Sequence, residues 1–184
     1  MTEMNIGLFG TCGGSAWREP FMAAYRELGI PFFNPQGDPN GSSTALEAWH
    51  LENDKVLLFP VTDESYGEES LLKSGFTVLN TVQEENSLRF VVVYIAPDVN
   101  DVLRVQDPPA AEESRRSRQR VKAHLESVRH PNVFVVANLG EMLDVSLKLF
   151  AALRFIESAR VGATDWRSAA SPEDWLGPLP AVIA

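Results

Sequence analysis

Short, almost wholly apolar runs alternate along the chain with longer amphipathic stretches. The apolar runs predict five strands, Asn5–Phe9, Ile30–Phe33, Lys55–Val61, Arg89–Ile95 and Asn132–Ala137. Runs such as VLLFPV and FVVVYI have no polar alternation, which is typical of parallel strands covered on both faces. The stretches between them predict five helices, Pro20–Leu28, Ala45–Asn53, Tyr66–Val82, Ala110–Val128 and Leu139–Ser158. This order predicts an α/β fold, a five-stranded parallel sheet with helices on both faces.

Polar residues predict where several helices begin. Ser65, Thr44 and Asn138 each precede a glutamate by three residues, which is the spacing of a capping box. Pro20 fits the first position of a helix, with Glu19 as its cap. Thr11 to Arg18 then form a loop at the carboxyl end of the first strand, the edge where open parallel sheets bind ligands.

The length of 184 residues is that of one domain with a short extension at most. We expect residues 1–160 to form the α/β domain. Residues 161–184 show no clear periodicity, but they are rich in Pro, Gly and Trp. Because they are too apolar for a free tail, we expect this extension to pack on the body or on a partner subunit.

Composition limits the classes of partner. A formal net charge of −9 repels phosphate backbones, so we do not expect nucleic acid as a partner. No apolar run reaches the roughly 18 residues that a membrane span needs, and the start of the chain does not resemble a signal peptide. Cys12 is the single cysteine, which predicts a reducing, cytoplasmic location.

The first loop is the most unusual segment of the sequence. It reads GTCGGSAWR over residues 10–18 and matches neither a Walker A loop nor a dinucleotide fingerprint. It is either a plain strand-to-helix turn or a binding loop. In the second interpretation Trp17 and Arg18 offer an aromatic plane and a planar cation to a flat, polar ligand. Asn34, before Pro35 at the end of the second strand, either begins a turn or offers a donor and an acceptor at the same edge.

Two other chemistries are weighed. Cys12 and Arg18 have the Cys-x5-Arg spacing of a phosphatase of the tyrosine type, and Asp107-Pro108 resembles the general-acid loop of its low-molecular-weight members. Glu19 follows the arginine and would repel a phosphate. Glu47-x-x-His50 is a single copy of a pair that metal sites use twice, so we expect no metal, and His50 is interpreted as a helix-surface or pocket-wall residue.

In combination, several segments resemble the nucleoside 2-deoxyribosyltransferase-like family. The matching pieces, in order, are Gly10 with Trp17-Arg18, Phe33-Asn34-Pro35, Glu47 with His50, Asp54 leading into LLFPVT, Thr62-x-x-x-Tyr66-Gly67-x-x-Ser70-Leu71-x-x-x-Gly75-Phe76, and Ser114-x-x-x-Arg118. The resemblance covers residues from about 5 to 153. It implies a flavodoxin-like sheet, a homo-oligomer, and no metal or redox cofactor.

The resemblance also implies chemistry at the anomeric carbon of a nucleoside or nucleotide. In the family a glutamate attacks C1′ as the base leaves, and the glycosyl ester passes to a second base or to water. The ligand-binding residues expected here are Gly10, Thr11, Trp17, Arg18, Asn34, Pro35, His50, Ser65, Tyr66 and Arg118.

The sequence departs from the family at the nucleophile. The family pattern is Glu-x-Gly, whereas this chain has Lys73-Ser74-Gly75. Either Glu69, one turn earlier, or Asp63 is the working carboxylate, with Lys73 stabilising the charge of Glu69, or the protein binds its ligand without catalysis. In the second case Lys73 meets a phosphate or carboxylate of the ligand.

Overall fold

The computed structural model describes residues 4–12, 14–37, 44–84 and 88–160. These residues contain five strands, β1 (Ile6–Leu8), β2 (Phe32–Phe33), β3 (Val56–Val61), β4 (Phe90–Ile95) and β5 (Val133–Val136). The strands lie in the order β2-β1-β3-β4-β5, and all neighbours are parallel. This is the flavodoxin-like strand order, so the predicted fold is confirmed.

The helices of the described residues are α1 (Arg18–Glu27), α2 (Thr44–Asn53), α3 (Glu68–Gln83), α4 (Asp101–Gln106), α5 (Pro108–Val128) and α6 (Leu139–Arg160). α4 was not predicted. Its two valines, Val102 and Val105, are exposed, so its sequence has no apolar face to reveal it. It is held instead by Asn100, whose Oδ1 accepts a hydrogen bond of 3.1 Å from the N–H of Leu103.

The sheet separates two apolar clusters. On one face, residues of α1 and α6 such as Phe21, Tyr25 and Phe150 pack against Leu8 and Leu58. On the other, residues of α3 and α5 such as Val78 and Leu125 pack against the alternate side chains of β3 and β4. Both faces of β3 are therefore buried along its whole length, as its unbroken apolar sequence predicted.

Three predicted helix starts are wrong by two residues. α1 begins at Arg18 rather than Pro20; Trp17 is at the cap position with no side-chain cap bond, so Glu19 is not the cap. α3 begins at Glu68 rather than Tyr66 and has no side-chain cap either, so Ser65 and Glu68 do not form a capping box. Gly67 has a φ of +79°, and a Cβ there would lie 2.6 Å from Cγ1 of Val61, so the turn before α3 requires glycine. α5 begins at Pro108 rather than Ala110.

The cap of α6 is confirmed. Asn138 Oδ1 accepts a hydrogen bond of 2.8 Å from the N–H of Glu141, whose carboxylate accepts one of 2.7 Å from the N–H of Ala137. Thr44 is the first residue of α2, and the residue before it lies outside the described residues. The proposed extension, residues 161–184, also lies outside them.

Candidate functional site

The candidate site lies where the strand order reverses, between the carboxyl ends of β1 and β3. Two loops meet there, the first loop (residues 10–17, of which 13 is not described) and the second loop (residues 62–67). Thr11 joins them: its N–H and its hydroxyl both donate to the carbonyl of Pro60, at 2.9 and 3.2 Å, and its hydroxyl accepts from the N–H of Thr62 at 2.9 Å. Ligands of flavodoxin-like sheets bind in the crevice at this point.

A proline lies in the central strand where β1 leaves it. Pro60 has no N–H to donate, and the pairing of β1 with β3 ends at Leu8 and Leu58, two residues before it. Gly10 lies over the Pro60 ring with a φ of +127°, and a Cβ at Gly10 would lie 2.5 Å from the Pro60 carbonyl oxygen. Only glycine allows β1 to leave the sheet this close to β3.

Glu64 links the two loops from the solvent side. Its Oε2 accepts a short hydrogen bond from the hydroxyl of Ser15 in the first loop and one of 3.0 Å from the hydroxyl of Thr62. Sequence analysis singled out neither Ser15 nor Glu64. The only signal for them was their place in loops after two adjacent strands, because the pairing of residues 49 apart depends on the fold.

The expected roles of Trp17 and Arg18 need correction, since both side chains are buried. The Trp17 indole N–H donates to the carbonyl of Thr11 at 2.9 Å, and one ring face is covered by the Arg18 guanidinium, 4.5 Å from the ring centroid. Arg18 donates to the carbonyls of Leu8, Gly10 and Thr11 at 2.8–3.4 Å. They shape the first loop from inside and present no free plane to a ligand.

The phosphatase interpretation loses its phosphate-binding group for the same reason. The remaining N–H donors of Arg18 reach Gln36 Oε1 at 2.9 Å and Cys12 Sγ at 3.9 Å. All five guanidinium donors are thus committed within the protein, and burial lowers the pKa of Arg18 despite the nearby Cys12 and Glu47. Asp107, expected to resemble a general acid, instead caps α5 by accepting from the N–H of Ala110 at 3.0 Å.

Arg118 also has a structural role rather than the expected ligand contact. It is fully buried, and its Nη atoms donate to the carbonyls of Val61, Ala96, Thr62 and Ser65. Its Nε donates to the hydroxyl of Ser114 at 3.0 Å, which in turn donates to the carbonyl of Tyr66 at 2.7 Å. The motif Ser114-x-x-x-Arg118 therefore holds the second loop in place from α5 through these hydrogen bonds.

Ser65 and Tyr66 lie in the second loop and are half-buried. The Tyr66 hydroxyl donates to the carbonyl of Leu103 at 3.1 Å, away from the first loop and toward α4. The expected contact of Tyr66 with a ligand therefore stays a prediction, and the structure shows the side chain tying α4 to the site.

Asn34 and Pro35 form a turn at the end of β2. Asn34 Oδ1 accepts from the N–H of Gln36 at 3.0 Å, and its carbonyl accepts from the N–H of Gly37 at 3.0 Å. Its amide Nδ2 contacts Met22 Sδ at 3.4 Å. The turn places Gln36, which sequence analysis did not single out, on the guanidinium of Arg18.

His50, half-buried on α2, pairs with the buried Asp54, which follows the last residue of the helix. Its ring stacks on Phe33 with centroids 3.7 Å apart, and its Nδ1 lies 2.9 Å from Oδ1 of Asp54. Burial raises the pKa of Asp54, although the hydrogen bond to His50 and the charge of Arg89 oppose the rise. Among the described residues, no hydrogen bond within 3.5 Å reaches the other carboxylate oxygen of Asp54. His50 thus packs on β2 through Phe33, and its expected contact with a ligand stays a prediction.

The lysine cluster consists of Lys73 and Glu69 on α3 and Glu47 on α2. Lys73 Nζ lies 2.7 Å from Glu47 Oε1 and 2.7 Å from Glu69 Oε1. Burial acts to lower the pKa of Lys73, but the hydrogen bonds and charges of the two carboxylates outweigh it and raise the pKa. The charge of Glu47 also opposes the fall in the pKa of Arg18.

Asp63, the other expected carboxylate, is exposed on the second loop. Its carbonyl accepts from the N–H of Asn100 at 2.9 Å. Burial raises the pKa of Tyr94 on β4, and the charge of Asp63 adds to this. The expected catalytic role of Asp63 stays a prediction.

Within the described residues no three His, Cys, Asp or Glu side chains are grouped so that they could hold a metal ion. No helix in those ranges combines the length and apolar character that a membrane crossing requires. A scan against protein-family models and a search of curated proteins both find no match for this chain.

Proposed function

We propose that the protein binds a nucleoside or nucleotide in the crevice between the first and second loops and acts on its N-glycosidic bond through a glutamate of the lysine cluster. The observation that carries this proposal is the placement of two carboxylates on one ammonium, each at 2.7 Å. The ordered resemblance of the sequence to nucleoside 2-deoxyribosyltransferases supplies the substrate class.

The spacing of the two carboxylates supports retaining glycosyl transfer. Since both oxygens lie 2.7 Å from Lys73 Nζ, they can be separated by no more than twice that distance. Retaining glycosidases place their two carboxyl groups about 5–5.5 Å apart, one as nucleophile and one as acid-base group. Glu47 and Glu69, on two different helices, therefore lie no farther apart than the carboxyl groups of a retaining glycosidase.

The charge of the cluster also suits the reaction. A lone ammonium would oppose the positive charge that develops on the sugar. Here Lys73 is paired with two carboxylates, so the cluster carries one net negative charge. The raised pKa of Lys73 keeps its amine protonated and therefore unable to attack carbon. Lys73 is thus a positioning residue that holds Glu47 and Glu69 together.

In the proposed reaction the Glu69 carboxylate attacks C1′ and the bond to the base breaks, with its electron pair leaving on the base, which takes up a proton from water. Glu69 is the more accessible of the pair, with 70% of its side chain exposed against 24% for Glu47. Glu47 then removes a proton from water or from a second base as that molecule attacks C1′, which releases Glu69 as a free carboxylate. Glu47 returns this proton to the solvent, which replaces the one that the first base took up.

A second candidate function is binding without catalysis, favoured by the residue at position 73. Lys73 occupies the place of the family's nucleophile, two residues before Gly75. If the cluster only holds α2 against α3, the crevice keeps its ligand and the glycosidic bond stays intact.

One set of variants separates the two. Release of free base from 2′-deoxynucleosides is measured chromatographically for the parent, Glu69→Gln, Glu47→Gln and the charge swap E69K/K73E, with Glu52→Gln on α2 as the control. The swap preserves the ion pair while restoring the family's Glu-x-Gly pattern. Catalysis predicts base release by the parent and its loss, by about 10²-fold or more, in Glu69→Gln.

Binding without catalysis predicts an inactive parent that a nucleoside still stabilises against heat, and a gain of base release in the charge swap. A parent that neither releases base nor is stabilised by any nucleoside or nucleotide contradicts both candidates.

A further inference from the structure

An apolar stripe runs along the exposed side of α3. It consists of Leu72, Phe76, Leu79 and Val82, whose exposed fractions range from 37% to 72%. Their spacing of three and four residues places them on one side of the helix. Contiguous apolar surface of this kind marks an interaction site in soluble domains.

The stripe borders a groove between α3 and α5 with a volume of about 890 Å³. An apolar groove on a helical surface fits a stretch of apolar polypeptide. The walls of this groove are mainly apolar side chains, among them Leu71, Val78, Val121, Leu125 and Val128.

The groove ends at the same edge of the sheet as α6. α3 and α6 each follow a strand and therefore run from the carboxyl edge to the amino edge, and α5, which precedes β5, ends at the amino edge too. Val82 and Val128 border the groove at this end. Arg160, the last residue of α6, lies at the amino edge on the opposite face of the sheet, and residues 161–184 follow it in the sequence.

The extension is long enough to reach the groove. Residues 161–174 span at most about 50 Å when fully extended, at about 3.5 Å a residue. Helices on opposite faces of a sheet are separated by about 20 Å, because each helix layer lies about 10 Å from the sheet. Residues from 175 onward can therefore enter the groove at its amino-edge end without any change in α6.

The sequence after residue 174 matches the groove in length and character. Residues 175–183 read WLGPLPAVI and contain no charged side chain. Pro178 and Pro180 do not fit the interior of a helix, and in an extended form, at about 3.1 Å a residue, this segment spans about 25 Å. From Glu68 to Val82 the α3 wall is about 21 Å long, at about 1.5 Å a residue. The segment therefore has the length that the groove requires.

Charge fixes the direction of entry. Arg120 lies in the second half of α5, toward the amino edge, whereas Glu68 and Glu113 lie at the opposite end of the groove. Glu173 and Asp174 directly precede the apolar segment. Entry from the amino edge places this acidic pair beside Arg120, whereas the reverse direction would place it beside Glu68 and Glu113.

The groove also has a space near its middle. The Phe76 ring is 65% exposed there. At the neighbouring Gly75, the position of a Cβ has no atom of the described residues within 4 Å, its chain neighbours and the backbone of α3 aside. A bulky apolar side chain fits into this space.

From these observations we propose that residues 175–183 dock in the groove between α3 and α5 of their own molecule and cover the apolar stripe. Trp175 packs against Val82 at the amino-edge end, and Leu179, the middle residue of the segment, enters the space at Gly75. This inference is independent of the proposed chemistry, because no residue of the lysine cluster lines the groove.

The first test is disulfide formation in the full chain, with Cys12→Ser as the background. Ser117→Cys in the groove is paired with Ala181→Cys in the segment, and the control pairs Ala181→Cys with Lys148→Cys, an exposed residue of α6. An undocked extension reaches both helices, whereas docking holds Ala181 near Ser117. Under a mild oxidant the Ser117 pair should therefore close within one chain about tenfold or more faster than the Lys148 pair, as measured by mass spectrometry of non-reduced peptides.

Equal rates for the two cysteine pairs overturn the proposal. A disulfide that joins two chains also overturns it, because a second copy then supplies the segment.

The second test measures the coupling between the segment and the stripe. Val82→Ala, Trp175→Ala and the double variant are compared with the parent by the midpoint of urea unfolding. Because substitutions of residues in contact are not additive, Val82→Ala should lower the midpoint in the parent, and by less than about half as much in the Trp175→Ala chain. Trp166→Ala, in the stretch before the segment, is the control and should leave the effect of Val82→Ala unchanged. Full additivity of Val82→Ala and Trp175→Ala overturns the contact and the docking with it.

Discussion

The N–H of Thr62 donates a hydrogen bond of 2.9 Å to the hydroxyl of Thr11. This contact continues the β1–β3 connection beyond the last paired residues of the two strands and is fully buried on the Thr11 side. The Thr11 side chain therefore ties the two loops together at their base.

Replacing Thr11 tests the contribution of this contact to stability. In Thr11→Val the N–H of Thr62 loses its acceptor in a buried place, which should lower the free energy of unfolding by about 1–3 kcal/mol. Thr11→Ser keeps the hydroxyl and should lose only a small part of that. Urea unfolding of the three proteins measures the difference, and equal losses in the valine and serine variants would contradict the assigned hydrogen bond.

Gly10 is predicted to be irreplaceable at the start of the first loop. In Gly10→Ala the new Cβ meets the Pro60 carbonyl oxygen at 2.5 Å in a backbone conformation that L residues avoid, so we expect a loss of about 2–4 kcal/mol in unfolding free energy. Gly14→Ala is the control in the same loop, because its Cβ position has no atom of the described residues within 4 Å, its chain neighbours aside. Thermal unfolding compares them, and similar melting temperatures for the two variants would count against the close approach to Pro60.

Arg118 is predicted to affect the site through the second loop alone. Arg118→Met leaves several buried carbonyls without a donor, which should cost about 3 kcal/mol or more. Arg118→Lys keeps the charge but offers fewer donors, so its loss should be intermediate. Arg116→Met, on the exposed side of the same helix, should change stability by less than about 0.5 kcal/mol.

A second measurement separates this role from ligand contact. If Arg118 only positions the loop, then Arg118→Lys, at a temperature where it is fully folded, should resist proteolysis of the second loop less well than the parent. Unchanged proteolysis with weakened nucleoside binding would instead restore the expected ligand contact.

Cys12 is predicted to have no catalytic role. Its thiol is exposed and donates to the carbonyl of Gly10 at 3.3 Å, and the arginine that would bind a phosphate is committed to main-chain oxygens. Cys12→Ser should change stability by less than about 0.5 kcal/mol and leave any base release intact. The parent should not hydrolyse p-nitrophenyl phosphate; turnover that disappears in Cys12→Ser would revive the phosphatase interpretation.

The strands were predictable because each one is a short apolar run, buried at every residue in β1 and β3, and the stretches between them are amphipathic. β3, for example, was predicted to within one residue, from Lys55 to Val61 against an observed Val56–Val61. The helix starts were less predictable. α1 begins at the buried Arg18, and α3 begins after the turn at Gly67. Neither feature is a capping side chain that the sequence would reveal.

The candidate site shows what a single sequence leaves open. Arg18 and Arg118 were expected to bind the ligand, and the sequence did not reveal that both donate to main-chain carbonyls. The Glu69–Lys73 pair followed from helical spacing, whereas Glu47 joins it across 26 residues and was visible only after α2 and α3 were in place. Gln36, Ser15 and Glu64 are ordinary loop residues. They come together only because the fold places β2, β1 and β3 side by side.

The pair of Asp54 and His50 predicts a pH dependence of stability. Burial raises the pKa of Asp54 above its ordinary value of 3.8, and of the groups that face it His50 and Arg89 act in the opposite sense. Between the two pKa values the folded protein holds a proton that the unfolded chain has released. The free energy of unfolding therefore falls as the pH rises through this window, and the loss is complete above the raised pKa.

Asp54→Asn removes this titration, because an amide does not release a proton. The free energy of unfolding of Asp54→Asn minus that of the parent should therefore increase as the pH rises from about 4, whatever the sign of the difference at the starting pH. Urea unfolding at intervals of half a pH unit measures it, with Asp101→Asn, an almost fully exposed acid, as the control. A difference that stays constant or decreases with pH would show that Asp54 is ionised in the folded protein as readily as in the unfolded chain, because the His50 contact then outweighs its burial.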